Sequence, residues 1–248
     1  MTDFSLADLA DNADSLKSKS AKISLNLRET LIRCSNNLKQ KTMNTDILTD
    51  GIPLNEAKKA LILIHGRGAS AHDILSIAKH LKVDDFALVA PQAENRTWYP
   101  YSFLAPLNEN EPSFSNSLEA IHKVVVAIQQ NGIEKENIYF LGFSQGACLA
   151  LEFTTRNAAK YGGIVAFTGG LIGDQVYENH YSGNFENTPV FIGTSDPDFH
   201  VPVERVNETE ALMEKMGADV TKKIYPNMGH TISQDEINCA NALIFNKK

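Results

Sequence analysis

The chain reads as an α/β protein with a mostly parallel central sheet and helices on both faces, and three observations predict this. From Ala60 onward, short apolar runs alternate with longer segments of helical period. Several of the runs are apolar at almost every position, as strands buried on both faces require. The segments between them are long enough to serve as crossovers between parallel strands. With no internal repeat of about 20 to 50 residues and no second core, one domain is expected over residues 43–248, preceded by an N-terminal extension over residues 1–42.

The extension is rich in Ser, Asn, Lys and Asp and lacks Gly and Pro. It carries seven basic and five acidic residues, net +2, against −9 for the remainder. Leu25, Leu27, Leu31, Ile32 and Leu38 trace only an imperfect helical stripe, and Met43 opens a fresh segment. Met43 is therefore expected to be a natural start and the extension to be dispensable. Next come six expected strands: ALILI (60–64), FALVA (86–90), IYFLG (138–142), GIVAF (163–167), PVFIG (189–193) and VTKKIY (220–225). Helices are expected near 70–82, 116–131, 145–158, 202–217 and 232–246. In open parallel sheets ligand-binding groups gather beyond the carboxyl ends of the strands, so the residues just after each run carry the functional reading.

After IYFL comes Gly142-Phe143-Ser144-Gln145-Gly146, followed at once by a helix-forming stretch. This is the context of a nucleophile elbow, where a tight strand-to-helix turn exposes a serine and flanking glycines let the backbone pass. A serine hydroxyl is a weak nucleophile near neutral pH and needs a base, which needs an orienting acid. Downstream, PVFIG leads into Thr194-Ser195-Asp196-Pro197-Asp198, and VTKKIY leads into Pro226-Asn227-Met228-Gly229-His230. Ser144, Asp196 and His230 are the expected catalytic residues, with Asp198 as the alternative acid; either aspartate could instead cap the helix entered through Pro202. After ALILI comes His65-Gly66-Arg67-Gly68, similar to the glycine-rich loop that lends an N–H to an oxyanion. The amides of Arg67 and Gln145 are the expected oxyanion hole. No G-x-x-x-x-G-K-[ST] accompanies these glycines, which argues against a nucleotide-phosphate loop.

Trp98, Tyr99, Tyr101 and Phe103 lie in a long connection after FALVA, and are expected to bind substrate as an apolar wall beside Ser144. Cys148, four residues after Ser144 on the same helix, is expected to be a packed thiol. Cys34, Cys148 and Cys239 are odd in number and lack C-x-x-C spacing, arguing against a disulfide framework or a structural zinc site. No cofactor or metal is expected.

HGRGAS (65–70), WYPYSFLAP (98–106), GFSQGA (142–147), GTSDPDFHVP (193–202) and MGH (228–230) together resemble the phospholipase/carboxylesterase family of α/β-hydrolases, over about residues 47–246. Within it, the WYPY and HVPVERV stretches are most similar to small bacterial carboxylesterases of the hydroquinone-related branch. The resemblance implies the α/β-hydrolase fold, with Ser144 as nucleophile, His230 as base, Asp196 as acid and the Arg67 and Gln145 amides as oxyanion donors. The chain departs from the family's D-P-x-V-P pattern, because two further residues stand between Asp196-Pro197 and Val201-Pro202. That keeps Asp198 open as the acid and brings His200 toward the pocket wall.

The reaction expected is hydrolysis of small or short-acyl carboxylic esters or thioesters through an acyl-enzyme. The alternatives are a lysophospholipase or acyl-protein thioesterase, and a non-catalytic α/β-hydrolase-fold protein that binds aromatic ligands. A formal charge of −7 without a basic stripe argues against nucleic acid as a partner. No apolar run reaches the length of a membrane span, and the acidic N-terminal stretch is unlike a secretory signal. A small-molecule ester substrate, a cytoplasmic location and an assembly left open to a homodimer complete the expectations.

Overall fold

The computed structural model describes residues 46–246. The N-terminal extension, with the expectations placed on it, lies outside the described residues. The six expected strands are present as β2 (Lys59–Ile64), β3 (Phe86–Pro91), β4 (Ile138–Phe143), β5 (Gly163–Phe167), β6 (Pro189–Asp196) and β7 (Asp219–Pro226). The sequence reading lacks a seventh, β1 (Ile47–Gly51), which pairs antiparallel with β3 at the sheet edge. Every residue of β1 is exposed, so it never needed the apolar run by which the other strands announce themselves. The sheet order is β1-β3-β2-β4-β5-β6-β7, with all pairs except β1 and β3 parallel. This is the α/β-hydrolase arrangement expected from the sequence.

Strand alternation sends side chains to two cores. Ala60, Ile62, Ile64, Phe140, Ile164 and Ile192 point to one face, where they meet helices α2 (Ser113–Gln130), α3 (Gln145–Arg156) and α4 (Val203–Lys215). Leu61, Leu63, Leu141, Val165 and Phe191 point to the other, under α1 (Ala71–Ser76) and α5 (Gln234–Leu243). Covering both faces is what makes near-continuous apolar strands stable. Helix α2 buries Phe114, Ser117, Ile121, Val124, Val125 and Ile128, one face at helical spacing. Helices α1 and α5 start at capping boxes, Ser70 with Asp73 and Ser233 with Glu236, which satisfy amides that have no intrahelical acceptor.

From the interior strand β2, the next strand β3 is laid on one side and β4 on the other. The strand order therefore reverses at β2, and the crevice beyond its carboxyl end is where such sheets bind ligands. Ile64, the last residue of β2, is in register with Gly142 of β4. The loop after β2, His65–Gly68, and the turn at Ser144 after β4 are thereby set side by side.

Candidate active site

Ser144 stands between β4 and α3 with φ 55° and ψ −121°, a conformation that L side chains rarely adopt. Backbone of this kind costs about 1–3 kcal/mol and persists only where the surroundings impose it. Here they do so through two glycines. A Cβ on Gly142 would overlap the Gly146 carbonyl, and one on Gly146 would overlap the carbonyl of Ile64. The elbow is thus pressed against the end of β2, and its serine side chain projects into a cleft.

The Oγ of Ser144 lies 2.8 Å from Nε2 of His230, and Nδ1 of His230 lies 2.8 Å from Oδ2 of Asp198. A carboxylate only accepts, so Nδ1 carries the proton and the bare Nε2 accepts the Ser144 hydroxyl. The Asp198 side chain is 0% exposed. Its second oxygen accepts the backbone N–H groups of His200 (2.7 Å) and Val201 (2.9 Å). Burial pushes this carboxyl up, but the hydrogen bonds from His230 and the two amides outweigh it and hold it below its ordinary 3.8. The imidazole is flanked by the rings of His200 and Phe143, with centroids 4.8 and 5.3 Å away.

The expected acid, Asp196, is not at this site. It is the last residue of β6, in register with Pro226 of β7; its side chain is exposed, and its carbonyl accepts the Asn227 N–H at 2.8 Å. Its backbone is spent on extending the sheet, and the chain turns toward His230 only two residues later. The sequence held a signal for this. Counting back from Val201-Pro202, Asp198 occupies the aspartate position of D-P-x-V-P, whereas the Asp-Pro dipeptide drew the assignment two residues upstream.

Arg67 and Gln145 line the same cleft as Ser144. Gln145 opens α3, where an amide has no intrahelical acceptor, and among the described residues neither its N–H nor that of Arg67 has a protein acceptor. Their side chains do something the sequence reading did not foresee: both hold the loop that carries the aromatic residues. The Arg67 guanidinium donates to the carbonyls of Tyr99 (2.9 Å), Pro100 (2.8 Å) and Tyr101 (2.6 Å) and to Thr97 Oγ1 (3.1 Å). The Gln145 amide donates to the Tyr99 carbonyl (2.8 Å) and accepts from the Trp98 N–H (2.9 Å). His65, buried and with its basicity lowered chiefly by that burial, accepts the Ala93 N–H on Nε2 and lies 2.8 Å from the Gly66 carbonyl through Nδ1.

A cleft of about 550 Å³ opens over the serine. Tyr101 and Phe103 line it, together with Tyr99, which is itself almost wholly buried. Trp98 does not. It is 2% exposed, its indole N–H donates to the His65 carbonyl (2.8 Å), and its ring packs on that of His65, so it shapes the loop from beneath. Phe199, 97% exposed, is a lining residue the sequence reading missed, and His200 lines the cleft as well. Cys148 is buried against the cleft floor, and burial pushes its thiol up to about 12. It remains a thiol at neutral pH, unlike a nucleophilic thiolate. Among the described residues no cluster of side chains could hold a metal ion.

A serine poised at the carboxyl edge of a mostly parallel sheet, on a strained turn and within hydrogen-bond reach of a histidine, defines an α/β-hydrolase. The chain belongs to the phospholipase/carboxylesterase family, whose profile matches residues 52–245, and it is a carboxylic ester hydrolase. It is 30% identical over 206 residues to acyl-protein thioesterase 1 of Saccharomyces cerevisiae, covering 74% of this chain and 90% of that protein. A crystal structure of a phospholipase/carboxylesterase from Dyadobacter fermentans is 52% identical, covers 84% of this chain and 99% of its own, and superposes with a TM-score of 0.82. The carboxylesterase of Bacillus cereus, at 20% identity and a TM-score of 0.64 over 84% of this chain and 96% of its own, shares the fold.

Proposed function

We propose that the protein is a serine esterase acting on small or short-acyl carboxylic esters or thioesters through an acyl-enzyme, with Ser144, His230 and Asp198 as its catalytic residues. The observation that carries this is the continuous relay from Ser144 Oγ through His230 to the buried Asp198, 2.8 Å at each step. His230 Nε2 takes the Ser144 proton as Oγ bonds to the acyl carbon. The imidazolium so formed faces a carboxylate that stays ionised. The carbonyl oxygen gains negative charge as the tetrahedral centre forms, and the free amides of Arg67 and Gln145 are the donors for it, each typically worth about 2.7–4 kcal/mol in such sites. His230 then passes its proton to the departing alcohol or thiol, leaving an ester on Ser144. Water, deprotonated by the same histidine, attacks that ester and releases the acid.

Substrate size is read from the cleft. Its lining includes the aromatic Tyr101, Phe103 and Phe199, and no charged side chain lines it with a free head group: the Arg67 guanidinium is committed to the 97–101 loop. Neutral apolar acyl or ring groups fit such walls. Among the described residues Cys148 and Cys239 form no disulfide, which supports the reading of a reducing, cytoplasmic location. Among the described residues no helix is long and apolar enough to cross a membrane. The yeast relative's name favours a second reading, thioester cleavage on acylated protein, and acyl-chain profiling from acetyl to palmitoyl separates the two.

Turnover of p-nitrophenyl acetate and butyrate by wild type and Ser144→Ala tests the proposal. Loss of about a million-fold in kcat is expected, as for removal of other triad nucleophiles, with the thermal unfolding transition retained. Turnover retained in the variant would overturn it.

A further inference from the structure

Ser195 has no place in the relay, yet its hydroxyl touches both loops that carry it. The residue is completely buried near the end of β6. Its Oγ accepts the Gly229 N–H at 2.9 Å and donates to the Pro197 carbonyl at 3.2 Å. Gly229 immediately precedes His230, and Pro197 immediately precedes Asp198. Beyond the last rung of the β6–β7 ladder and the Asn227 N–H to Asp196 carbonyl bond, the described residues show no other hydrogen bond joining the two loops except that between Asp198 and His230 themselves. Gly229 has φ 80°, and Pro197 offers no N–H of its own, so neither residue can hold its loop through regular pairing.

We propose that Ser195 is a positioning residue, resting on the reading of Ser144, His230 and Asp198 as the catalytic relay. A single atom that both donates and accepts is needed at this point, and a hydroxyl is the smallest group that does so. It fixes the residue before the acid against the residue before the base, and so sets the approach of the carboxylate to the imidazole without touching substrate. Alanine leaves both backbone groups without their partner. Displacement of a catalytic group by about 1 Å costs as much as a hundred-fold in rate.

A double-mutant cycle on the full-length chain tests this, with kcat and KM for p-nitrophenyl butyrate measured for Ser195→Ala, Asp198→Ala and the combination, alongside thermal unfolding. Ser195→Ala is expected to lower kcat by about ten- to a hundred-fold with KM within about two-fold. In the Asp198→Ala background the same change is expected to cost less than about three-fold, because residues acting as a unit are not additive. Ser195→Thr, which restores the hydroxyl, is expected to recover most of the loss. Equal losses in both backgrounds, or wild-type kcat in Ser195→Ala, would overturn the proposal. Wild-type turnover in Asp198→Ala would instead overturn the relay itself, and this inference with it. Should Ser195→Ala fail to fold, Ser195→Cys, which keeps a side chain of similar shape with weak bonding, takes its place in the cycle with the same expected and contrary results.

Discussion

A buried carboxylate is costly unless hydrogen bonds replace the water it loses, and Asp198 has three: His230 and the amides of His200 and Val201. These hold it below its ordinary 3.8, which ties stability to pH with a definite sign. The contribution is complete above the unfolded-chain value near 3.8 and is lost as pH falls through the lower folded value. Asp198→Asn, which cannot ionise, is expected to flatten that acid limb of the stability curve. Urea unfolding of wild type and variant between about pH 2 and 6 measures it, and identical acid limbs would contradict the assignment. Ser144 and His230 were legible from the sequence because each follows a strand end in a pattern with little freedom. The carboxylate that meets His230 was not, because two aspartates flank one proline within three positions, and only the direction in which the backbone leaves β6 separates an exposed carboxylate from a buried one.

Among the elements, the six apolar strands and their crossover helices could be read directly, since double-sided burial leaves a mark at every position. The edge strand β1 could not, because edge exposure removes that mark. Nor could the task divided between Trp98 and its neighbours, which depends on Arg67 and Gln145 reaching across 30 to 48 residues of sequence to grip one loop. The two residues whose amides are proposed to receive the oxyanion thus also hold the loop that carries the aromatic side chains. Arg67→Ala keeps the backbone amide but frees the carbonyls of Pro100 and Tyr101, while that of Tyr99 keeps its bond from Gln145. It is expected to raise KM for short-acyl aromatic esters by about ten-fold or more, as mispositioned binding groups do, and to speed amide exchange over residues 97–101. An unchanged KM with unchanged exchange would show that the loop holds its shape unaided.

At the scale of the whole molecule, the parallel sheet sets the loops after β2, β4, β6 and β7 at one edge, where Arg67, Ser144 and His230 line the cleft and Asp198 meets His230, and the two core faces lock the strands that carry them. Among the described residues the lining of the cleft includes no carboxylate. Reactivity of the serine toward a fluorophosphonate depends on the relay and not on any one substrate. The labelling rate of Ser144 in wild type, His230→Ala, Asp198→Ala and Asp196→Ala is therefore the most direct measurement of its activation. Wild type and Asp196→Ala are expected to label at similar rates, with labelling nearly abolished in His230→Ala and strongly slowed in Asp198→Ala. Rapid labelling of His230→Ala, or a loss confined to Asp196→Ala, would contradict the account.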